Sequence, residues 1–499
     1  MADTDTAKAS WQELGNRWWV ATLYFAEGFP LGLVRWMSHA FFYEFGASKP
    51  AIGMTSLFAI PWVVKFLWAP LVDAFSTKRS WLLLFQLAVA LSALGLGLAS
   101  ATPAPLLVGG FFFLVTAAFS ATHDIAIDGY YLEALDRNQQ ARYVGFQQAA
   151  YRLALITAGG GILAISTKVS WLLGYGLASL ILVGLATLHH RFLPRIEHPQ
   201  RPASAITAYL TRPGPIIAIV AGIGAVISLW AIMRSEQVQE RLGPLSEISG
   251  PMWVVVFLAL AMIVIALQAP ALKRKLYASD SHFALAFVDY LDRPRIGIVL
   301  AFILTFRVGE SMLQAMAYPF LRDIGITGAQ YGLAHNTLGV VATIVGGIVA
   351  GFLIARFGLK RCIWPFVLAL NSLNLLYMAM AWHYRSILAN PDSGAASFWL
   401  VCLLVSAEAL GAGLGQSAFA VFIMRTTKRE FKAAHFAIGT GLMNVASILT
   451  GVISGFLAQS LGFVAFFGIT AIATVPNMLL IPFLPFLDVP TRDTDRDSR

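Results

Sequence analysis

The sequence predicts an all-helical membrane protein: two six-span bundles with two further spans set between them, about fourteen in all. Three observations lead there. Apolar residues make up 58% of the chain and charged residues only 12%, about half the charge of a soluble domain. Apolar runs of bilayer-crossing length, about 20 residues each, recur from end to end. The two halves also repeat weakly. GASKPAIG at 46–53 opens the second span as GITGAQYG at 325–332 opens the second span of the later half, and the basic loops DAFSTKR (73–79) and RFGLKR (356–361) follow at similar distances.

The elements follow in order. Residues 1–17 are polar and read as a cytoplasmic tail, without the basic start and small-residue cleavage site of a signal peptide. An N-terminal bundle over 18–192 holds spans near 18–44, 50–74, 80–100, 105–134, 143–166 and 171–190. A cytoplasmic connector, 193–295, carries two extra spans near 214–233 and 251–271. The C-terminal bundle, 296–487, holds spans near 296–322, 328–355, 362–383, 397–425, 434–460 and 462–487, and a cytoplasmic tail closes the chain at 488–499. Gly28-Phe29-Pro30 predicts a kink in the first span. Gly159–Gly161, Gly347/Gly351 and Gly451/Gly455 predict close helix packing.

Orientation comes from Lys and Arg. With the N-terminus inside, 25 of the 35 basic residues fall in inner segments and six in outer ones, which places both termini in the cytoplasm. The net charge of +9 is therefore a topology signal and no sign of nucleic acid. Cys362 and Cys402 lie in apolar runs without metal-ligand spacing, so no metal or cofactor is expected. There is no G-x4-G-K-[ST] phosphate loop and no H-E-x-x-H pair, which argues against an ATP-driven pump and against an enzyme.

The segment GFLIARFGLK at 351–360 keeps part of the G-x-L-x-D-R-x-G-R-K loop of the major facilitators, with Ala355 and Leu359 as departures. Six plus six spans with a repeated inner loop resembles that superfamily, whose halves are parallel repeats. The resemblance implies that the third span of each triplet faces lipid. Counting the bundle spans one to twelve, spans three, six, nine and twelve contain no Asp, Glu, Lys or Arg. Charges gather in spans one, two, four, five and seven, with Glu408 in ten. A charge at bilayer depth costs about 3 kcal/mol or more, so this pattern marks a pathway between the bundles.

Those charges are the candidate site. Arg35, His39, Lys65, Arg152, Arg307 and Glu27 are the expected substrate-binding residues, Asp128, Asp124 and Glu310 the expected proton carriers, and Asp73 the inner gate. Depth at about 1.5 Å per residue pairs Asp124 with Arg152 and Glu27 with Lys65. The i, i+3 spacing pairs Arg307 with Glu310. Asp124 and Asp128 share a helical face, and two carboxylates so close in a low dielectric resist ionising together, which lets one of them carry a coupling proton. A purely structural ion-pair network is the alternative. His123 and Asp128 also fit H-x4-D, but on a continuous helix they lie about 140° apart and share no face.

KFLWAPLVD at 65–73 resembles the K-F-L-W-[AS]-P-L-x-D signature of the AmpG-type muropeptide permeases, a major facilitator branch related to acetyl-CoA transporters. His123-Asp124-Ile125 with Asp128-Gly129-Tyr130, Tyr151-Arg152-Leu153, Arg307-Val308-Gly309-Glu310, 337–346 and 413–419 are similar to further motifs of that family. Departures are Tyr131 and Asn336, where the family carries basic residues, and Arg35 and His39, where small or polar residues are usual.

The resemblance implies proton-driven import of cell-wall sugar-peptides across the inner membrane. The chain is thus expected to be a symporter, acting as a monomer in the lipid bilayer on protons and a small anionic solute. Its rivals are another cargo (a siderophore, an acyl-CoA), export, and a non-transporting receptor or signal transducer.

Overall fold

The computed structural model describes residues 2–65, 68–135, 137–195, 202, 288–293, 295–426 and 432–487. The two predicted middle spans lie outside the described residues. Within them the chain is helical, and nine helices are long and apolar enough to cross a membrane.

The N-terminal half runs α1 (Ala2–Arg35), α2 (Met37–Glu44), α3 (Lys49–Met54), α4 (Ile60–Val64), α5 (Ala69–Ala74), α6 (Lys78–Ala99), α7 (Pro105–Ala134), α8 (Arg137–Ile156), α9 (Leu163–Lys168) and α10 (Trp171–Phe192). The later half runs α11 (Ile296–Phe306), α12 (Val308–Asp323), α13 (Gly328–Tyr331), α14 (Val340–Phe357), α15 (Leu359–Leu373), α16 (Leu375–His383), α17 (Arg385–Ala389), α18 (Phe398–Arg425), α19 (Lys432–Ile472) and α20 (Val475–Leu480). Within α19, Gly462 holds φ at 73°, a conformation open to glycine at little cost, and this turn separates spans eleven and twelve.

Several predicted spans are broken, each for a physical reason. Span two is not one helix. Pro50, Pro61 and Pro70 each stand in the first turn of a separate piece, where a missing N–H costs nothing. Span one passes through Pro30 and breaks only at Trp36, so the expected kink at Gly28–Pro30 is displaced by about two turns. Gly28 and Gly32 instead let α1 lie against α8 and the turn after it: a Cβ on Gly28 would meet the Tyr151 carbonyl at 2.9 Å and one on Gly32 the Ala158 methyl at 2.7 Å. Span seven breaks at Arg307. Spans five and eight each contain a wide π-helical turn, Thr157–Ile162 and Gly332–Gly339. Such turns leave backbone groups without their regular partners and frequently accompany function.

The third span of each triplet presents an exposed apolar face. On α6 the exposed residues Leu84, Leu87, Leu91, Leu94 and Leu98 form one stripe at helical spacing, and Leu173, Leu177 and Leu180 do the same on α10. Trp364, Leu368 and Trp382 in span nine and Ile472, Val475 and Leu479 in span twelve face outward likewise. Each span predicted to face lipid thus presents an exposed apolar face, and spans four, eight and ten expose apolar residues as well.

The two bundles meet through small residues. Span two crosses span eleven where Gly53 faces Gly451, Val452 and Gly455. A Cβ on Gly455 would run into the Lys49 carbonyl, and one on Gly451 into the Ser56 hydroxyl. Span five crosses span eight where the two π turns touch: Asn336 donates to the Gly159 carbonyl at 2.7 Å, and Gly332 lies against Gly159 and Gly160. At the end carrying Glu44, side chains lock the bundles together. Glu44 accepts from Arg322 (2.7 and 3.3 Å) and from Tyr318 (2.7 Å), while Asp323 accepts from Tyr43 (2.5 Å) and faces Lys49 at 3.6 Å.

Candidate functional site

Between the bundles lies a cavity of about 350 Å³. Its N-terminal wall brings Arg35, Trp36, His39 and Arg152. Its C-terminal wall brings Arg307, Glu310, Gln314, Tyr331, His335, Glu408 and Gln416. Local structure delivers several of them. Arg35 ends α1 at the break before Trp36, and Arg307 sits in the break between α11 and α12. Tyr331 and His335 stack at 4.9 Å across the start of the second π turn. His39 is held by its Nδ1 on the Arg35 carbonyl, 2.9 Å away.

The predicted Arg307–Glu310 pair is present and two-pronged, with both nitrogen–oxygen distances at 3.1 Å, the geometry in which Arg and carboxylate pair most strongly. Gln416 adds a donor to Glu310 at 2.7 Å, so both carboxylate oxygens of Glu310 are engaged. Arg35 and Arg152 have no hydrogen-bond or ion-pair partner among the described residues, and both feel the repulsion of Arg307. The wall therefore presents two unneutralised guanidiniums beside a third that is neutralised.

A second charged cluster lies inside the N-terminal bundle. Lys65 forms a salt bridge with Asp124. One carboxyl oxygen from each of Glu27, Asp124 and Asp128 lies within 4.8 Å of the other two, and Asp128 accepts from the Tyr24 hydroxyl at 3.0 Å. Trp68 donates to Thr122 at 3.1 Å, so the 65–73 motif clasps span two to span four. Three carboxyls around one ammonium leave the cluster short of positive charge.

This geometry corrects the two pairings taken from depth. Asp124 pairs with Lys65 and not with Arg152, and Glu27 meets carboxyls, one of its oxygens lacking any partner. Depth says nothing of rotation about the helix axis: Arg152 points to the cavity, while Asp124 points to α1 and α4. Glu27 and Lys65, expected to bind substrate, do not line the cavity. The side chain of Asp73 lies outside the described residues. His123 is wholly buried with both ring nitrogens unpartnered, away from the hydroxyl that binds Asp128.

The chain matches known proteins over most of its length. Residues 298–499 match the Major Facilitator Superfamily model and residues 27–189 the BT1 family model. It is 24% identical over 469 residues to the anhydromuropeptide permease of Escherichia coli (strain K12), covering 92% of this chain and 77% of that one. It is 21% identical to a putative transporter, AmpG 4, of Rickettsia conorii, covering 92% and 93%. Among solved structures, a POT family transporter studied in meso superposes with a TM-score of 0.65 at 12% identity, covering 94% of this chain and 97% of that one. Another, in complex with 5-aminolevulinic acid, superposes at 0.65 with 14% identity, covering 94% and 96%. At such low identity the superpositions speak for the fold alone. The protein is an AmpG-like membrane transporter with the major facilitator fold.

Two positions where this AmpG-like chain departs from the permeases it resembles have structural uses. Asn336 is the cross-bundle donor to Gly159, and Tyr131 is buried edge-on against Tyr24 at 5.5 Å. Sequence reasoning missed Glu408, Tyr331, His335 and Gln416 as cavity residues. Only Glu408 carried a signal, as a lone charge in span ten. The others are ordinary helix residues whose position depends on the π turn and on the crossing of the bundles.

Proposed function

We propose that this AmpG-like transporter is a proton-coupled symporter of the inner membrane that imports an anionic sugar-peptide, a muropeptide being the first candidate. One observation carries the reading: Arg35 and Arg152 line the cavity between the bundles without any acidic partner among the described residues. A guanidinium buried at bilayer depth without an anion is costly, and a carboxylate-bearing cargo supplies what the chain withholds. The similarity to an anhydromuropeptide permease supports the same class of cargo.

In this reading the N-terminal cluster carries the proton. Asp128 is the foremost carrier, since Asp124 is held by Lys65 while Asp128 has only a tyrosine hydroxyl. Glu310 orients Arg307 toward the cargo. Transport proceeds by rocking of the two bundles about the glycine crossings. The side-chain lock at Glu44 closes the outer end, Asp73 belongs to the inner gate, and both termini stay in the cytoplasm. Since one chain encloses the whole cavity, a monomer suffices.

The test is uptake by proteoliposomes of a labelled muropeptide under an inward-directed proton gradient. The expected result is accumulation that a protonophore abolishes. Absence of any muropeptide uptake in liposomes holding folded protein sinks the cargo, and gradient-independent equilibration sinks the coupling.

A further inference from the structure

The proposed coupling leaves two buried imidazoles of the N-terminal bundle unused. His123 stands on α7 next to Asp124, and His189 stands in the last turn of α10; both are 0% exposed. His189 has a complete set of partners. Its Nδ1 lies 2.9 Å from Gln86 Oε1, and the Gln86 amide nitrogen donates to the Leu182 carbonyl at 3.4 Å, so Nδ1 carries a hydrogen and donates. Its Nε2 lies 3.0 Å from the Thr22 hydroxyl, which also reaches the Trp19 carbonyl at 3.2 Å. That hydroxyl has one hydrogen and two places to put it. Turned to Nε2, it serves the neutral ring; turned to Trp19, it accepts from the protonated ring. Both states of His189 are therefore hydrogen-bonded at both nitrogens, and one hydroxyl rotation exchanges them. Such a ring takes up and releases a proton without leaving a buried nitrogen unpaired.

His123 has the opposite character. Neither ring nitrogen has a hydrogen-bond partner among the described residues, so one is open to take a proton and the other to give one. The titratable groups that act on it electrostatically are His189 and Asp124. We propose that His123 and His189 form a proton-release path inside the N-terminal bundle, leading from the carboxyl cluster to the inner surface. A protonated carboxyl of the cluster gives its proton to one nitrogen of His123 and becomes a carboxylate. The imidazolium then gives up the hydrogen of its other nitrogen, directly or through a water molecule, to Nε2 of His189, while the Thr22 hydroxyl turns to Trp19. Nε2 releases the proton to water beside Thr22, which is only half-buried, and His190 and Arg191 at the same helix end are exposed. This path deepens the proposed coupling and rests on it. Neither ring lines the cavity, and neither do Glu27, Asp124 and Asp128. A proton can therefore leave while cargo still fills the space between the bundles.

The experiment uses proteoliposomes loaded with a pH-sensitive dye and follows labelled muropeptide and internal acidification together under an inward-directed proton gradient. The wild type is compared with His123→Gln, His189→Gln and Thr22→Val, which nearly keep the side-chain volume but cannot pass the proton. Gradient-driven accumulation, and the acidification that accompanies it, should slow by about tenfold or more in both histidine variants. A positioned acid–base group contributes about a hundredfold or more to its own step, and the overall rate shows part of that. Thr22→Val should slow the same two readouts by about threefold, since the protonated ring then lacks an acceptor at Nε2. Counterflow without a gradient should stay within about twofold of the wild type in all three, because alternating access does not need the path. Wild-type accumulation in either folded histidine variant overturns the inference, since the path needs both rings. Equal losses of counterflow and driven uptake overturn it as well, for the rings would then be structural. Where one variant fails to fold, the other two decide by the same criteria. Wild-type protein that takes up muropeptide without proton movement sinks the proposed coupling itself, and the path falls with it.

Discussion

The two charged regions of this transporter differ in how they are balanced. Inside the N-terminal bundle, Lys65, Asp124, Glu27 and Asp128 form a closed group in which carboxyls outnumber ammoniums three to one. Between the bundles, Arg35, Arg152 and Arg307 face a single engaged carboxylate, Glu310, and one that is free, Glu408. A group short of positive charge can take up a proton. A group short of negative charge can take up an anion. Under the proposed function the contrast separates coupling from binding in space, and it can be attacked from both sides.

The largest effect is expected where the chain has paired its own charges. Asp124→Asn leaves the Lys65 ammonium without its carboxylate, and breaking one side of a buried pair costs about 3 kcal/mol or more. Thermal unfolding in detergent should show a clear fall in Tm. Asp128→Asn, which removes no cation's partner, should leave Tm nearly unchanged. Equal losses from both variants would erase the distinction between a paired and a proton-carrying aspartate.

Next in size is the cavity. Arg152→Gln removes one unneutralised guanidinium and should lower kcat/KM for an anionic cargo by about a hundredfold, the scale of a lost buried charge contact. Because Arg152 has no partner among the described residues, Tm should stay close to that of the wild type. A large drop in stability with unchanged transport would make Arg152 structural.

The bundle crossings give a smaller and more graded effect. Gly451→Ala puts a methyl into the Ser56 hydroxyl, whereas Gly161→Ala meets open space. Slower transport in the first and the wild-type rate in the second are expected, read as initial uptake rates. Asn336→Ala removes the bond to Gly159 and should cost about 1 kcal/mol. Thermal unfolding in detergent would report this as a modest fall in Tm.

These outcomes also bear on what the residues alone could reveal. The fold was legible because lipid imposes its own pattern: spans without charge became the exposed leucine stripes of α6 and α10. The i, i+3 pair Arg307–Glu310 was legible because both partners share a helix face, although the helix breaks at Arg307 itself. The partners of Asp124 and Glu27 were not, because depth is one coordinate and rotation about the axis another. Span two hid its three pieces behind a largely apolar run, even though Pro50, Pro61 and Pro70 mark each start. The place of His335 and Tyr331 depends on a π turn, which has no reliable sequence mark beyond its glycines.

The most direct test of the separation between coupling and binding is made on Asp128→Asn in proteoliposomes. Counterflow of cargo without a gradient is measured beside accumulation driven by a proton gradient. If the N-terminal cluster carries the proton and the cavity carries the cargo, counterflow should persist near the wild-type rate while gradient-driven accumulation is lost. Stable Asp128→Asn protein that still accumulates cargo against its gradient would contradict it.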